Sequence, residues 1–145
     1  MLSFFMNVVI DTNVWISALI SQDGGAREVI RLALMDKISP QLSTALFLEY
    51  EDVMKRDKIT NLCFLNIDEQ QELFQAFLST CKWNEIFYLW RPNLDNEGDN
   101  LLIELAVASN SEVIITDNKK DLQSGELLFN FEVLSPKEFL ERYKK

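Results

Sequence analysis

Asn7-Val8-Val9-Ile10-Asp11-Thr12-Asn13-Val14-Trp15-Ile16-Ser17 is the stretch whose reading decides the fold. Val8, Val9 and Ile10 are consecutive β-branched residues near the N-terminus, the pattern of a strand covered on both faces. The run stops abruptly at three polar residues. In an open α/β sheet, ligands gather beyond the carboxyl ends of the strands. Asp11 therefore stands where an acid can do chemistry. Asp, Thr and Asn are also ordinary strand terminators and helix caps. Whether other acids converge on Asp11 separates the two readings.

Outward from this stretch, Val14, Trp15, Ala18 and Leu19 recur at helical spacing. Ser21-Gln22-Asp23-Gly24-Gly25 breaks that helix, and the next runs from about Ala26 to Met35, with Val29, Ile30, Ala33 and Leu34 on one face. Lys37 to Leu42 reads as a second strand, against which Pro40 argues because proline donates nothing to a ladder. Ser43 looks like an N-cap. The helix behind it carries Leu46, Tyr50 and Val53 as its apolar stripe, and Glu49 shares that face by spacing. A carboxylate there is unusual, since an unpaired buried charge is costly. It either reaches water at the rim, pairs with an Arg, or serves a site.

Lys55 to Lys58 is a charged break. Asp68-Glu69-Gln70-Gln71 resembles a helix start, and Leu73, Phe74, Phe77 and Leu78 give the following helix a core-facing stripe. Trp83 to Trp90 is a β-rich run ended by Arg91-Pro92-Asn93-Leu94. Asp95-Asn96-Glu97-Gly98-Asp99-Asn100 is a second polar knot, leading into a helix over Leu101 to Ala108 with Asp99 at about its N-cap. Glu112 to Thr116 is a further buried strand that ends in Asp117-Asn118-Lys119-Lys120-Asp121. Phe131 to Leu134 is a last short strand. Ser135-Pro136-Lys137-Glu138 is a helix start with proline at the first helical position and Glu completing a capping box, and Phe139, Leu140 and Tyr143 follow on that helix. Strands alternate with helices, which predicts a single α/β domain over residues 1–145 with a mainly parallel central sheet flanked by helices.

Composition narrows the chemistry. The chain of 145 residues is 48% hydrophobic, enough for one sizeable core. Its net charge of −9 argues against loose electrostatic binding of nucleic acid, which relies on Lys and Arg. That charge does not exclude a nuclease whose acids hold divalent cations. The sequence has no histidine, which removes Ser-His-Asp triads and most zinc sites. Cys63 and Cys81 form neither a metal spacing nor a disulfide framework and read as small buried thiols in a reducing cytoplasm. Met1 to Met6 is apolar but too short to span a membrane and lacks a basic leader.

The acids fall after strand one, on a helix, at a helix start and after a later strand. Strand ends and helix starts of a doubly wound sheet share one edge. Carboxylates gathered there repel one another unless a cation joins them. An all-oxygen donor set favours Mg²⁺ or Mn²⁺, and the chemistry such a site supports is metal-assisted phosphodiester hydrolysis.

Val-Val-Ile-Asp11-Thr-Asn-Val, Glu49 within Leu-Phe-Leu-Glu-Tyr-Glu-Asp-Val-Met, Asp99-Asn100 before Leu-Ile-Glu-Leu-Ala, and Ile-Ile-Thr116 before Lys-Asp121-Leu resemble the PIN-domain ribonucleases. The resemblance is to the small prokaryotic branch of VapC-type toxins and covers nearly the whole chain from Asn7. It implies that Asp11, Glu49 and Asp99 are the three shared acids and that a fourth lies in the loop after Thr116. There the chain departs from the common pattern, because the position two residues after Thr116 is Asn118. Asp117, Asp121 or the Asn118 carbonyl is left as the fourth ligand, and Asp121 matches a second Asp often seen in that loop. Thr12, Asn13 and Thr116 are candidates to orient ligands or phosphate. Lys119 and Lys120 are either RNA-phosphate contacts or a solvated pair.

The resemblance further implies an RNA substrate, a homodimer and an antitoxin protein. Two rival functions remain at this stage. One is a PIN-like binding module that has lost turnover, which Asn118 favours and the retained trio opposes. The other is a phosphatase with Asp11 as nucleophile. Such enzymes want a second acid two residues on, where this chain has Asn13.

Overall fold

A computed structural model of the chain describes residues 6–21, 24–86, 97–119, 122 and 130–143, with residues 97–100 as backbone only. Its first strand, β1 (Met6–Ile10), is the run that opened the sequence, and Val8, Val9 and Ile10 are fully buried. Two helices follow, α1 (Thr12–Ile20) and α2 (Gly25–Leu34), then β2 (Ile38–Leu42). Helices α3 (Thr44–Met54), α4 (Asp57–Leu62) and α5 (Ile67–Thr80) lead to the two-residue β3 (Lys82–Trp83). Helix α6 (Glu97–Ala108), strands β4 (Val113–Ile115) and β5 (Glu132–Leu134) and helix α7 (Pro136–Tyr143) complete the described chain.

The sheet has the order β3-β2-β1-β4-β5, and every pairing is parallel. The expectation of an α/β domain with central parallel strands at Val8–Ile10 and Val113–Ile115 is met. These two strands pair directly, Val8 with Val113, Val9 with Ile114 and Ile10 with Ile115. From β1 the chain moves outward to β2 and β3, then returns to β4 on the other side of β1. The strand order thus reverses between β1 and β4, which is where a crevice opens at the carboxyl edge. Helix α6 makes the return and packs on β1, β2 and β4. Right-handed crossovers place it on the face opposite α1 and α2.

Local chemistry accounts for most element boundaries. Ser43 caps α3, its Oγ accepting from the Leu46 N–H at 3.2 Å. The Ser135–Glu138 capping box forms in both directions, at 3.0 and 3.2 Å. Helices α2 and α6 each end with a residue in the left-handed region, Asp36 (φ 58°) and Asn110 (φ 54°). In both, the next two N–H groups return to helix carbonyls: Asp36 to Ala33 and Lys37 to Leu32, Asn110 to Val107 and Ser111 to Ala106. Short Asx side chains tolerate that conformation, so these turns launch β2 and β4 without glycine. Pro40 is accommodated in β2 because β3 pairs only with Gln41 and Leu42. At Pro40 the strand has a neighbour on the β1 side alone, so the missing N–H costs little.

Four expectations need correction. The capping box of α5 is Asn66 with Glu69, not the Asp68–Gln71 group. Helix α6 begins at Glu97, which places Asp99 in its first turn rather than at the N-cap. The third buried residue of the α3 stripe is Met54, while Val53 is only half-buried. The run from Trp83 contributes β3 only as far as Trp83; residues 84–86 are not strand, and Phe87 to Trp90 lie outside the described residues. So do Met1 to Phe5, Asp95, Lys120 and Asp121.

The core gathers on both sides of β1. Trp15 is fully buried and stacks on Phe77 with ring centroids 4.9 Å apart, flanked by Phe74 at 5.5 Å and Tyr50 at 6.3 Å. The Tyr50 hydroxyl donates to the carbonyl of Ile10, tying α3 to the last residue of β1. Burial raises the Tyr50 pKa well above its ordinary value, so the phenol stays a donor.

Candidate active site

Asp11 follows β1 directly, and its N–H continues the ladder to the Ile115 carbonyl at 2.9 Å. Its backbone starts α1, with Val14 and Trp15 donating to its carbonyl. The side chain does not cap the helix. The carboxylate instead accepts from the Thr116 hydroxyl at 2.6 Å on Oδ2 and lies against the Thr12 N–H. Thr116 is the residue after β4, so strand register alone brings these two side chains together. Asp11 is only 8% exposed. Burial raises its pKa above the usual carboxylate value, the two donors oppose that shift, and the charges of Glu49 and Asp117 add to it.

Glu49 is half-buried on α3, and Thr12 donates its hydroxyl to Glu49 Oε1. The residue after Asp11 thus anchors the second acid beside the first. Among the described residues Glu49 pairs with no arginine, and its anchor is Thr12. Asp117 is exposed, one residue past Thr116, and close enough to act electrostatically on Asp11. Asn118 is also exposed, and its N–H donates to Thr116 Oγ1 at 3.0 Å. Thr116 is therefore fixed from both sides, receiving one bond from its own loop and giving one to Asp11.

Asp99 lies in the first turn of α6, three and four residues before the buried Leu102 and Ile103. Its side chain is outside the described residues, as is Asp121. The structure therefore brings together Asp11, Glu49 and Asp117 around Thr12 and Thr116. It places the backbone of Asp99 on the helix that crosses β1. Among the described residues, no three His, Cys, Asp or Glu side chains are grouped so as to hold a metal ion.

The donors at this edge suit a hard divalent cation. Every side-chain group is an oxygen ligand or an amide, with no imidazole or thiolate. The raised pKa of Asp11 comes first from its burial, with the neighbouring acids adding to it. Asn13 adds a buried carbonyl oxygen, Oδ1, with no hydrogen-bond partner among the described residues. The helices α1 and α3 start at this edge, so their positive ends face the same crevice.

Lys119 is more than a solvated loop residue. Its Nζ pairs with Glu138 of α7 at 2.8 Å, and this partner together with the Ser135 N–H holds the Glu138 carboxyl down to about 2. The sequence reading also gave no role to Glu104, which α6 buries to 7% exposure. The signal was present: Glu104 is a carboxylate inside the apolar run Leu101 to Val107, the same anomaly that drew attention to Glu49.

A family model described as PIN domain matches residues 7–120. No curated protein matches the chain. Among solved structures, the chain is similar to one in the crystal structure of VapBC2 from Rickettsia felis bound to a DNA fragment from their promoter. That match has a TM-score of 0.59 and 18% identity, and covers 88% of this chain and 97% of that one. At that identity the likeness is one of fold.

Proposed function

The chain belongs to the PIN-domain family, and from that premise we propose that it is a Mg²⁺- or Mn²⁺-dependent endoribonuclease. Its substrate is single-stranded RNA, and it is the toxin of a toxin–antitoxin pair. The observation that carries the reading is the Asp11 carboxylate. It is buried at the carboxyl end of the central strand, beside Glu49, and held by Thr116 rather than spent on a helix cap.

In this reading Asp11, Glu49 and Asp99 hold the cation. Asp117, Asp121 or the Asn118 carbonyl adds the fourth group. A divalent cation bound by such a set supplies Lewis-acid charge stabilisation and lowers the pKa of water to provide a nucleophile. The chain's own residues set the geometry. Thr116 fixes the Asp11 carboxylate, and Thr12 fixes Glu49. The amide of Asn13 and the N-termini of α1 and α3 favour a phosphate arriving there. The buried sheet edge beneath excludes water from the inner side.

The antitoxin, the homodimer and a cytoplasmic location belong to the same proposal and rest on the family resemblance. Among the described residues no helix is long and apolar enough to cross a membrane. The exposed Asn118 favours a second reading, a PIN-like binding module without turnover. Cleavage of single-stranded RNA in Mn²⁺ by wild type and Asp11→Asn separates the two. The nuclease reading requires activity in the wild type and its loss in the variant. Equal inactivity of two demonstrably folded samples leaves the binding module.

A further inference from the structure

Among the described residues three aromatic side chains are exposed, Phe64, Trp83 and Tyr143. The Arg27 guanidinium lies over the Phe64 ring at 5.4 Å, and Tyr143 stacks on Phe139 at 5.9 Å. Trp83, 51% exposed, differs from both in its place. It pairs with Leu42, the last residue of β2, and so stands at the carboxyl edge of the sheet, the edge that carries Asp11. Continuing the registers Val8 with Pro40 and Leu42 with Trp83 sets Asp11, Ser43 and Asn84 in one row. Strands lie about 4.8 Å apart, so Trp83 is about 10 Å across the sheet from Asp11.

The exposed ring is held in place. Trp83 leans on Phe47 of α3, with ring centroids 5.4 Å apart and planes 53° apart. Phe47 in turn stacks on Phe74 of α5, at 5.9 Å and 7°. The tilt means that Phe47 braces the indole without lying flat on it. The strand that presents the ring, β3, is the end of the sheet order, so one flank of Trp83 is open among the described residues. Between Asp11 and Trp83 the row passes the exposed Thr44 and Ala45 at the start of α3. The charges that flank the ring in sequence, Lys82 and Glu85, are both exposed and cancel. Attraction at this point therefore comes from the ring face and owes little to phosphate neutralisation.

We propose that Trp83 is a stacking platform for one unpaired base of the RNA substrate, within about three nucleotides of the scissile phosphate at a stacked rise of about 3.4 Å. The proposal rests on the nuclease reading for the substrate, and on the braced ring for the stack. Every base has a π-face, so an aromatic side chain holds single-stranded nucleic acid without reading its sequence. Duplex RNA keeps its bases stacked on one another and offers none to the ring. A partner polypeptide strand is the poorer match, because β3 gives it only two residues of edge to pair with.

The test has two arms on the full chain. In the first, single-stranded RNA is titrated against metal-free protein, so that nothing is cut, and tryptophan fluorescence is read. RNA quenches the wild type. Trp83→Leu, which keeps an apolar side chain against Phe47 but has no ring face, loses the quenching and binds about 10-fold more weakly, as expected for one base–aromatic stack. Trp83→Phe recovers binding to within about 3-fold of wild type. Affinity falls between about 50 and 200 mM salt, and the ratio of wild type to Trp83→Leu stays constant, because the lost contact is uncharged.

In the second arm one abasic nucleotide is moved along an RNA that wild-type protein cuts in Mn²⁺. At a single position, fixed relative to the cut, KM rises by about 10-fold. The kcat value is nearly unchanged, because the stack is kept in ground and transition states alike. Trp83→Leu has the raised KM on intact RNA and no longer distinguishes that position. The scan on wild type decides the matter if Trp83→Leu fails to fold. Wild-type affinity in a folded Trp83→Leu, loss that Trp83→Phe does not restore, or a scan without a fixed position overturns the proposal and leaves the nuclease standing. Quenching and affinity lost in Trp83→Leu and restored in Trp83→Phe, in a protein that cuts nothing, support the platform and defeat the nuclease.

Discussion

The Thr116 hydroxyl donates to Asp11 Oδ2 at 2.6 Å, between residues 105 positions apart that end two neighbouring parallel strands. The β1–β4 ladder holds the two backbones side by side, with the Asp11 N–H bonded to the Ile115 carbonyl in the same row. The acid at the centre of the proposed site is thus placed by the sheet itself.

Asp11→Asn removes charge while keeping shape. Cleavage of single-stranded RNA in Mn²⁺ should fall by about 10²-fold or more. Stability should move the other way. The folded-state pKa of Asp11 lies above its ordinary value, so the folded protein holds that proton more tightly than the unfolded chain. Wild-type stability therefore declines as pH rises from about 3.8 through the folded value, and the loss persists at neutral pH. Thermal melts should show the variant the more stable at pH 7 and the two converging below about pH 3.8. An Asp11 whose only role is to shape the turn gives lower stability with activity per folded molecule unchanged.

Thr116→Val deletes the donor to a buried carboxylate. The cost should be about 1.5–3 kcal/mol at neutral pH, as for hydrogen bonds to charged groups. Thr116 holds the Asp11 pKa down, so the gap between wild type and variant should widen as pH rises through the titration of Asp11. Thr116→Ser should recover most of it. Chemical denaturation at pH 4 and pH 7 measures both effects.

Thr12→Val releases Glu49 from its anchor. The half-saturating Mn²⁺ concentration for RNA cleavage should rise by about 10-fold or more, since losing the partner of a ligating group costs that much in affinity or activity. Thr12→Ser should restore it. An unchanged Mn²⁺ dependence would mean that Glu49 does not serve the cation.

Glu138→Gln breaks the pairing with Lys119 and weakens the capping box of α7. The Glu138 carboxyl is depressed to about 2 in the folded protein, against an ordinary value near 4.5. Its contribution is therefore fully present above the ordinary value and is lost as pH falls toward 2. The pair is half-exposed, so the total effect should be about 1 kcal/mol. Melts should separate the two proteins at pH 7 and superimpose them near pH 2.

The sequence by itself determined the parts that depend on neighbours a few residues away. Val8-Val9-Ile10 and Val113-Ile114-Ile115 were legible as buried strands from three β-branched residues in a row. Ser43 and the Ser135–Glu138 box were legible as helix starts because a cap is an i to i+3 interaction. Alternation of strands and helices then gave the parallel sheet. Even locally there were limits. Asn66 outcompeted Asp68 for the start of α5, and the Asx residues that end α2 and α6 left no mark without glycine.

Only the tertiary structure decided what those polar residues do. Asp11 could have capped α1, and its carboxylate turned to Thr116 because β4 pairs with β1 in a register that sets the two side by side. Glu49 could have reached water, and Thr12 held it, across 37 positions of sequence. Lys119 could have stayed in solvent, and α7 brought Glu138 to it. Glu104, an acid within an apolar run, came to line a cleft once α6 returned across the sheet. Each outcome depends on strand order and register, which are fixed by burial of the whole core and carry no signature within a window of a few residues.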